Sequence, residues 1–201
     1  PGLTELRGIQ ESLRKQYEFT TVDVSKGTPV PSDINALIVM SPAQPFAEHQ
    51  KFQVDQYLMS GGRVAFLLNA VDATLQKQAA QPIRLDLQDM LTSYGVRVNT
   101  DLVRDVQCAS ISLVQQQMGF SYQSQVAFPY LPLVSNFSKG NSMVKDLQGL
   151  VLFFASSVDT LNLAGQGLTG EILMRSSKQS GRMTGMFTYD PLQRFARTDF
   201  V

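Results

Sequence analysis

One histidine, His49, and one cysteine, Cys108, are all this sequence offers to the commonest protein chemistries. His49 falls in the polar stretch Glu48-His-Gln-Lys51. A general base there needs an environment that tunes its proton affinity, and a solvated surface histidine is the simpler reading. Cys108 lies in Val106-Gln-Cys-Ala-Ser110, with no second cysteine and no adjacent histidine. A catalytic thiol needs a neighbour that stabilises thiolate, so a packed, inert cysteine is expected. One thiol makes neither an intramolecular disulfide nor a thiolate metal site. Ser41 precedes Pro42, and no Gly-x-Ser-x-Gly surrounds it; a strand-terminating turn accounts for it better than a nucleophile's elbow.

The carboxylates and glycines are equally spare. Asp86 and Asp89 share one helix side, where Arg84 and the helix N-terminus account for acidic residues. Asp101 and Asp105 straddle Arg104 and read as a solvated segment. Neither pair has the further ligands a metal needs. Gly61-Gly62 precedes a strand rather than a helix, the wrong order for a phosphate loop. Gly165-Gln-Gly167 is an incomplete Gly-x-Gly. Ser156-Ser-Val-Asp-Thr160 follows an apolar run, where hydroxyls and a carboxylate either line a pocket or cap turns. No catalytic, cofactor or metal residues are expected. The candidate rim for a ligand or partner is Ser41, Asn69, Asp72, Ser156 and Asp159, at the carboxyl ends of expected strands.

Whole-chain properties exclude more. The 201 residues carry 17 Lys+Arg and 17 Asp+Glu, a formal net charge of zero. That removes the basic surplus that nucleic-acid binding needs, and basic docking on an anionic membrane surface as well. A chain of this length buries roughly 70% of its unfolded surface and needs no staple. The longest apolar run, Leu150-Val-Leu-Phe-Phe-Ala155, is far short of the ~20 residues of a membrane helix. A chain starting at Pro1 without a visible signal peptide is expected to be the folded piece of a longer protein.

The elements that must position these residues follow from periodicity. Leu3 to Gln16 is expected to be helical, and Phe19 to Val24 an alternating strand. Ala36-Leu-Ile-Val-Met40 and Arg63-Val-Ala-Phe-Leu-Leu68 read as strands covered on both faces. Between them a helix runs from Pro45 to about Ser60, stopped by Gly61-Gly62. This is a βαβ unit with a parallel pair. Asn69 to Pro82 is expected to be a loop, Leu85 to Tyr94 a helix capped by Gly95, and Val96–Val98 and Leu102–Val106 short strands. The Gln-rich region between Cys108 and Lys145 reads as an insertion with an exposed polar hairpin. Gly149 to Ala155 reads as a buried strand; Ile172–Ser176 and Gly181–Tyr189 read as further strands. The expectation is a single α/β domain over residues 1–201: a doubly wound, mostly parallel, flavodoxin-like sheet with a β-rich insertion around 108–145.

Four ordered stretches together resemble the GldG-type family of ABC-transporter auxiliary components. They are Asn35-Ala-Leu-Ile-Val-Met-Ser-Pro-Ala-Gln-Pro-Phe46, Asp55-Gln-Tyr-Leu-Met-Ser-Gly-Gly-Arg-Val-Ala-Phe-Leu67, Leu91 to Asp105 with Tyr94-Gly-Val-Arg-Val98, and Phe153-Phe-Ala-Ser-Ser-Val-Asp-Thr160. The resemblance implies an extracytoplasmic domain at the periplasmic face of a bacterial inner membrane, anchored by segments outside this sequence. It implies ABC permease and ATPase partners, in a system linked to gliding motility or secretion in Bacteroidota-like bacteria. It also implies a scaffold similar to class I glutamine amidotransferases and to a domain of an intraflagellar-transport subunit. The amidotransferase pattern places a cysteine after the strand that follows Gly-Gly. Here Asn69 or a neighbour stands there, which points to a scaffold without its chemistry. The expected function is non-catalytic assembly within a membrane complex, as part of a homo- or hetero-oligomer. The alternatives are a glycan- or peptidoglycan-binding module and a degenerate hydrolase.

Overall fold

A computed structural model describes residues 11–42, 44–76, 79–117, 120–185, 187–193 and 195–200, excluding the side chains of Gln117, Phe120 and Arg197. The chain forms two units, residues 1–69 with 84–93, and residues 70–83 with 94–201. Most of the helix expected over Leu3–Gln16 lies outside the described residues, with Glu11 to Leu13 helical.

The first unit holds the βαβ element. Strand β1 (Leu37–Met40) runs parallel to β2 (Val64–Leu67), with Leu37 opposite Val64 and Met40 opposite Leu67. Between them lies α1 (Glu48–Met59). Ala47 at its N-cap has no side-chain acceptor, so only half a capping box forms: the Ala47 N–H donates to Gln50 Oε1 at 2.9 Å. Val54 and Tyr57 bury one face of α1, and the Tyr57 hydroxyl donates to the Ile34 carbonyl at 2.9 Å. The helix stops at two glycines for two reasons. Gly61 sits at φ +91, open to glycine at little cost, and a Cβ on Gly62 would enter the Tyr57 ring. Buried Lys51 is ion-paired with Glu48 at 2.7 Å and with Asp89 at 2.8 Å; Asp89 lies on α2 (Gln88–Ser93).

The second unit is built from short antiparallel ladders. Strand β3 (Val71–Asp72) pairs with β4 (Ala79–Pro82), which also pairs with β14 (Phe187–Thr188). Strand β5 (Val96–Val98) pairs with β11 (Val158–Thr160), and β6 (Leu102–Asp105) with β13 (Ser180–Met183). The long strands β7 (Cys108–Gln117) and β8 (Phe120–Val134) pair with each other, and β10 (Leu150–Val151) adds to β8. Strand β9 (Asn136–Phe137) pairs with β12 (Met174–Arg175). The core is aromatic: Phe128, Tyr130, Phe154 and Tyr189 are buried, with Phe128 and Tyr130 centroids 5.4 Å apart and Phe154 and Tyr189 5.2 Å apart. Phe128 and Tyr130 reach this core because β8 leaves its register with β7 between Ala127 and Pro132. Pro129, inside that break, has no N–H to give a ladder. Phe154 accepts φ +51, unfavourable for an aromatic residue, while its N–H donates to the Tyr130 carbonyl at 3.0 Å.

Several expectations are corrected. The doubly wound, mostly parallel, flavodoxin-like sheet is not formed: β1–β2 is the one parallel pair among the described strands, and every other printed pairing is antiparallel. The sheet stops at two strands because Phe19–Val24 joins no ladder. The strands therefore are not covered on both faces; Ile38 and Leu67 are 45% and 50% exposed. The loop expected over Asn69–Pro82 contains the β3–β4 pair, whose partners lie remote in sequence. The expected buried strand at Gly149–Ala155 shortens to β10, with Phe154 as its buried residue.

Candidate functional site

Strand β6 carries a carboxylate at each end, and the second unit encloses both. Asp101 is 1% exposed and Asp105 is fully buried, correcting the expectation of a solvated segment. Each grips one serine by both of its donors. Asp101 Oδ1 accepts the Ser157 N–H at 2.8 Å, and its Oδ2 accepts the Ser157 hydroxyl at 2.6 Å. Asp105 Oδ2 accepts the Ser177 N–H at 2.7 Å; its Oδ1 accepts the Ser177 hydroxyl at 2.6 Å and the Gln107 N–H at 2.8 Å. Burying a carboxylate is costly unless donors replace its water, and two clamps of the same design supply them. These carboxylates are occupied as acceptors and hold the ladders together.

Above the Asp101 clamp the network opens to solvent. The Ser156 hydroxyl donates to the Asp101 carbonyl at 2.9 Å. Asn99 Nδ2 donates to Ser157 Oγ at 2.9 Å and to Asp159 Oδ2 at 3.0 Å. Arg97 Nη2 donates to the same Asp159 oxygen at 2.9 Å, and Arg182 Nη1 stands 3.9 Å from Asp101 Oδ2. The Arg97 guanidinium, then Asn99, hold the Asp159 carboxyl below the usual carboxylate range. Arg97 and Arg182 are about half exposed, with side chains 51% and 57% accessible. The result is a charged, partly preorganised patch on a rigid base, suited to meeting a polar partner surface.

The expected rim residues divide. Ser156 and Asp159 meet in this network through Asp101 and Asn99. Asp72 lies on β3 of the same unit, exposed. Ser41 and exposed Asn69 belong to the first unit, where the Ser41 N–H donates to the Leu67 carbonyl at 2.8 Å and Ser41 sits at φ +39. Sequence reasoning missed Arg97, Asn99, Ser157 and Arg182. The one local signal was the repeated dipeptide Ser156-Ser157 and Ser176-Ser177, which supplies both clamp serines. His49 Nε2 is 2.8 Å from the Ser25 carbonyl at an exposed position. Burial pushes the half-buried Cys108 thiol up, away from thiolate. Among the described residues no cluster of His, Cys, Asp or Glu is arranged to hold a metal ion, and no helix is long and apolar enough to cross a membrane.

Residues 2–200 match the model of a family described as ABC-type uncharacterized transport system. An uncharacterized protein of Borreliella burgdorferi is 22% identical over 157 residues, covering 76% of this chain and 29% of its own length. The chain thus spans less than a third of that relative. The solved mmIFT52 N-terminal domain superposes with a TM-score of 0.51 at 17% identity, covering 78% of this chain and 65% of that one. At that identity the likeness concerns the fold.

Proposed function

This chain belongs to the family of ABC-type uncharacterized transport systems, as an auxiliary component, and on that premise we propose that it is a non-catalytic domain for protein–protein assembly. The observation that carries the reading is the state of the chain's reactive groups. The two buried carboxylates are saturated by serine donors, His49 faces a backbone carbonyl and the Cys108 thiol is shielded. What is left open is a charged patch of Arg97, Asp159 and Arg182, which recognises a polar surface rather than transforming a substrate. The domain works at the periplasmic face of a bacterial inner membrane, held by parts of a longer protein, and contacts the permease of its own system and through it the ATPase. A link to gliding motility belongs to the same reading.

Co-purification tests it. The parent protein carrying this domain is expected to bring down its permease from detergent extracts. Arg97→Glu with Arg182→Glu is expected to weaken that recovery at unchanged expression. A complex that assembles normally with the domain deleted would end the assembly reading.

A further inference from the structure

The β7–β8 ribbon is built unlike every other ladder here. From Ser110 opposite Ala127 to Gln117 opposite Phe120 it pairs continuously, whereas no other described ladder exceeds four residue pairs. In the sheet order β10–β8–β7, β7 is an edge, and no other described strand pairs with it. Natural edges are guarded by charge, proline or brevity. The short ladders here carry Arg97, Asp159, Arg104 and Arg182. By contrast, no Asp, Glu, Lys or Arg occurs from Val106 to Ser138, and β7 contains no proline. A long, uncharged edge of unsatisfied N–H and C=O groups is a template for another strand.

The pattern along β7 selects the occupant. Ser110, Ser112, Val114 and Gln116 form one exposed face, with Val114 73% exposed. Ile111, Leu113 and Gln115 form the other, half-buried face. The Tyr122 hydroxyl donates to Gln115 across the ribbon on that second face. We propose that β7 pairs antiparallel with β7 of a second copy of this chain, about a two-fold axis at Ser112. In this register Ile111 lies opposite Leu113 and Ser110 opposite Val114, so each face continues across the joint. No like charges meet, and the two three-stranded sheets become one sheet of β10–β8–β7–β7–β8–β10. An isologous joint of this kind closes on itself and stops at two copies. Nothing on the ribbon carries the charge that would select an acidic or basic foreign strand. The inference is independent of the assembly reading above, because it concerns a different surface.

The test is the oligomeric state of the 201-residue chain by sedimentation across concentration. The native chain is expected to show a reversible monomer–dimer equilibrium. Ser112→Lys is expected to raise the dissociation concentration about tenfold or more by placing like charges together. Mixing the Ser112→Lys and Ser112→Glu chains is expected to restore dimer. As a check that does not rely on added charge, Ser112→Cys is expected to give a disulfide-linked dimer on oxidation. Gln125→Cys, one strand further from the joint, is expected not to, since Cα atoms more than about 7 Å apart do not bridge. A chain that stays monomeric at every concentration would overturn the proposal and leave a foreign strand as the occupant. A dimer indifferent to Ser112→Lys, or a Ser112→Cys chain that never cross-links, would overturn it as well.

Discussion

In the first unit, Tyr57 reaches the Ile34 carbonyl across 23 residues of chain, and the two strands are joined by the helix between them. In the second, Ser177 meets Asp105 across 72 residues and Tyr189 meets Thr74 across 115. One unit is assembled from neighbours; the other gathers short segments from its whole length. The second therefore depends on its polar clamps and aromatic convergence, because two- and three-residue strands contribute little pairing of their own. It also carries the charged patch, since distant segments can only be brought to one place by such a core.

The largest expected effect tests this contrast directly. Phe128→Ala removes a ring that touches Tyr130, Phe154 and Tyr189, and is expected to cost about 4–5 kcal/mol in denaturant unfolding. Tyr57→Ala, which removes one face of one helix, is expected to cost about 3–4 kcal/mol. If Tyr57 proves the costlier, the view of a locally held first unit and a convergent second one is wrong. Next comes the clamp: Ser177→Ala leaves Asp105 short of a hydroxyl donor, with an expected loss of about 1.5–3 kcal/mol. A change below about 0.5 kcal/mol, the range of surface substitutions, would show the clamp to be decorative. The smallest effect lies at the patch. Asp159 has its carboxyl held down in the folded state, first by Arg97 and then by Asn99. Its contribution is therefore present above the unfolded carboxylate value of about 3.9 and lost as pH falls through the lower folded value. Asp159→Asn is expected to flatten the acid side of the stability profile below about pH 4, read from thermal midpoints, with little change at neutral pH.

The first unit was largely legible. Pro45, the apolar runs at 36–40 and 63–68 and Gly61-Gly62 gave β1, α1 and β2 with small errors at their ends. What failed there was the extent of the sheet. Apolar strands read as sandwiched between helices, but the pattern of β1 and β2 does not encode how many neighbours follow. In the second unit the polar hairpin was visible as Gln-rich alternation, and β5, β6 and β13 as short candidates. Their partners were not visible, because a three-residue strand such as Val158–Thr160 matches many others equally well. Asp101 and Asp105 were misread for a related reason: aspartate beside arginine ordinarily means solvent, and only serines 56 and 72 residues away make burial tolerable.

The sequence by itself determined that the chain has little catalytic equipment, that one βαβ element stands near its start, and that four ordered stretches carry a family resemblance. These rest on residue identity and on contacts within a few turns of chain, which local physics enforces. The tertiary structure decided that the rest is antiparallel, that two aspartates are buried as clamps, and that Arg97, Asp159 and Arg182 share one patch. Those outcomes depend on which distant segments meet, and that choice is made by the cooperative burial of the aromatic core rather than by any segment alone.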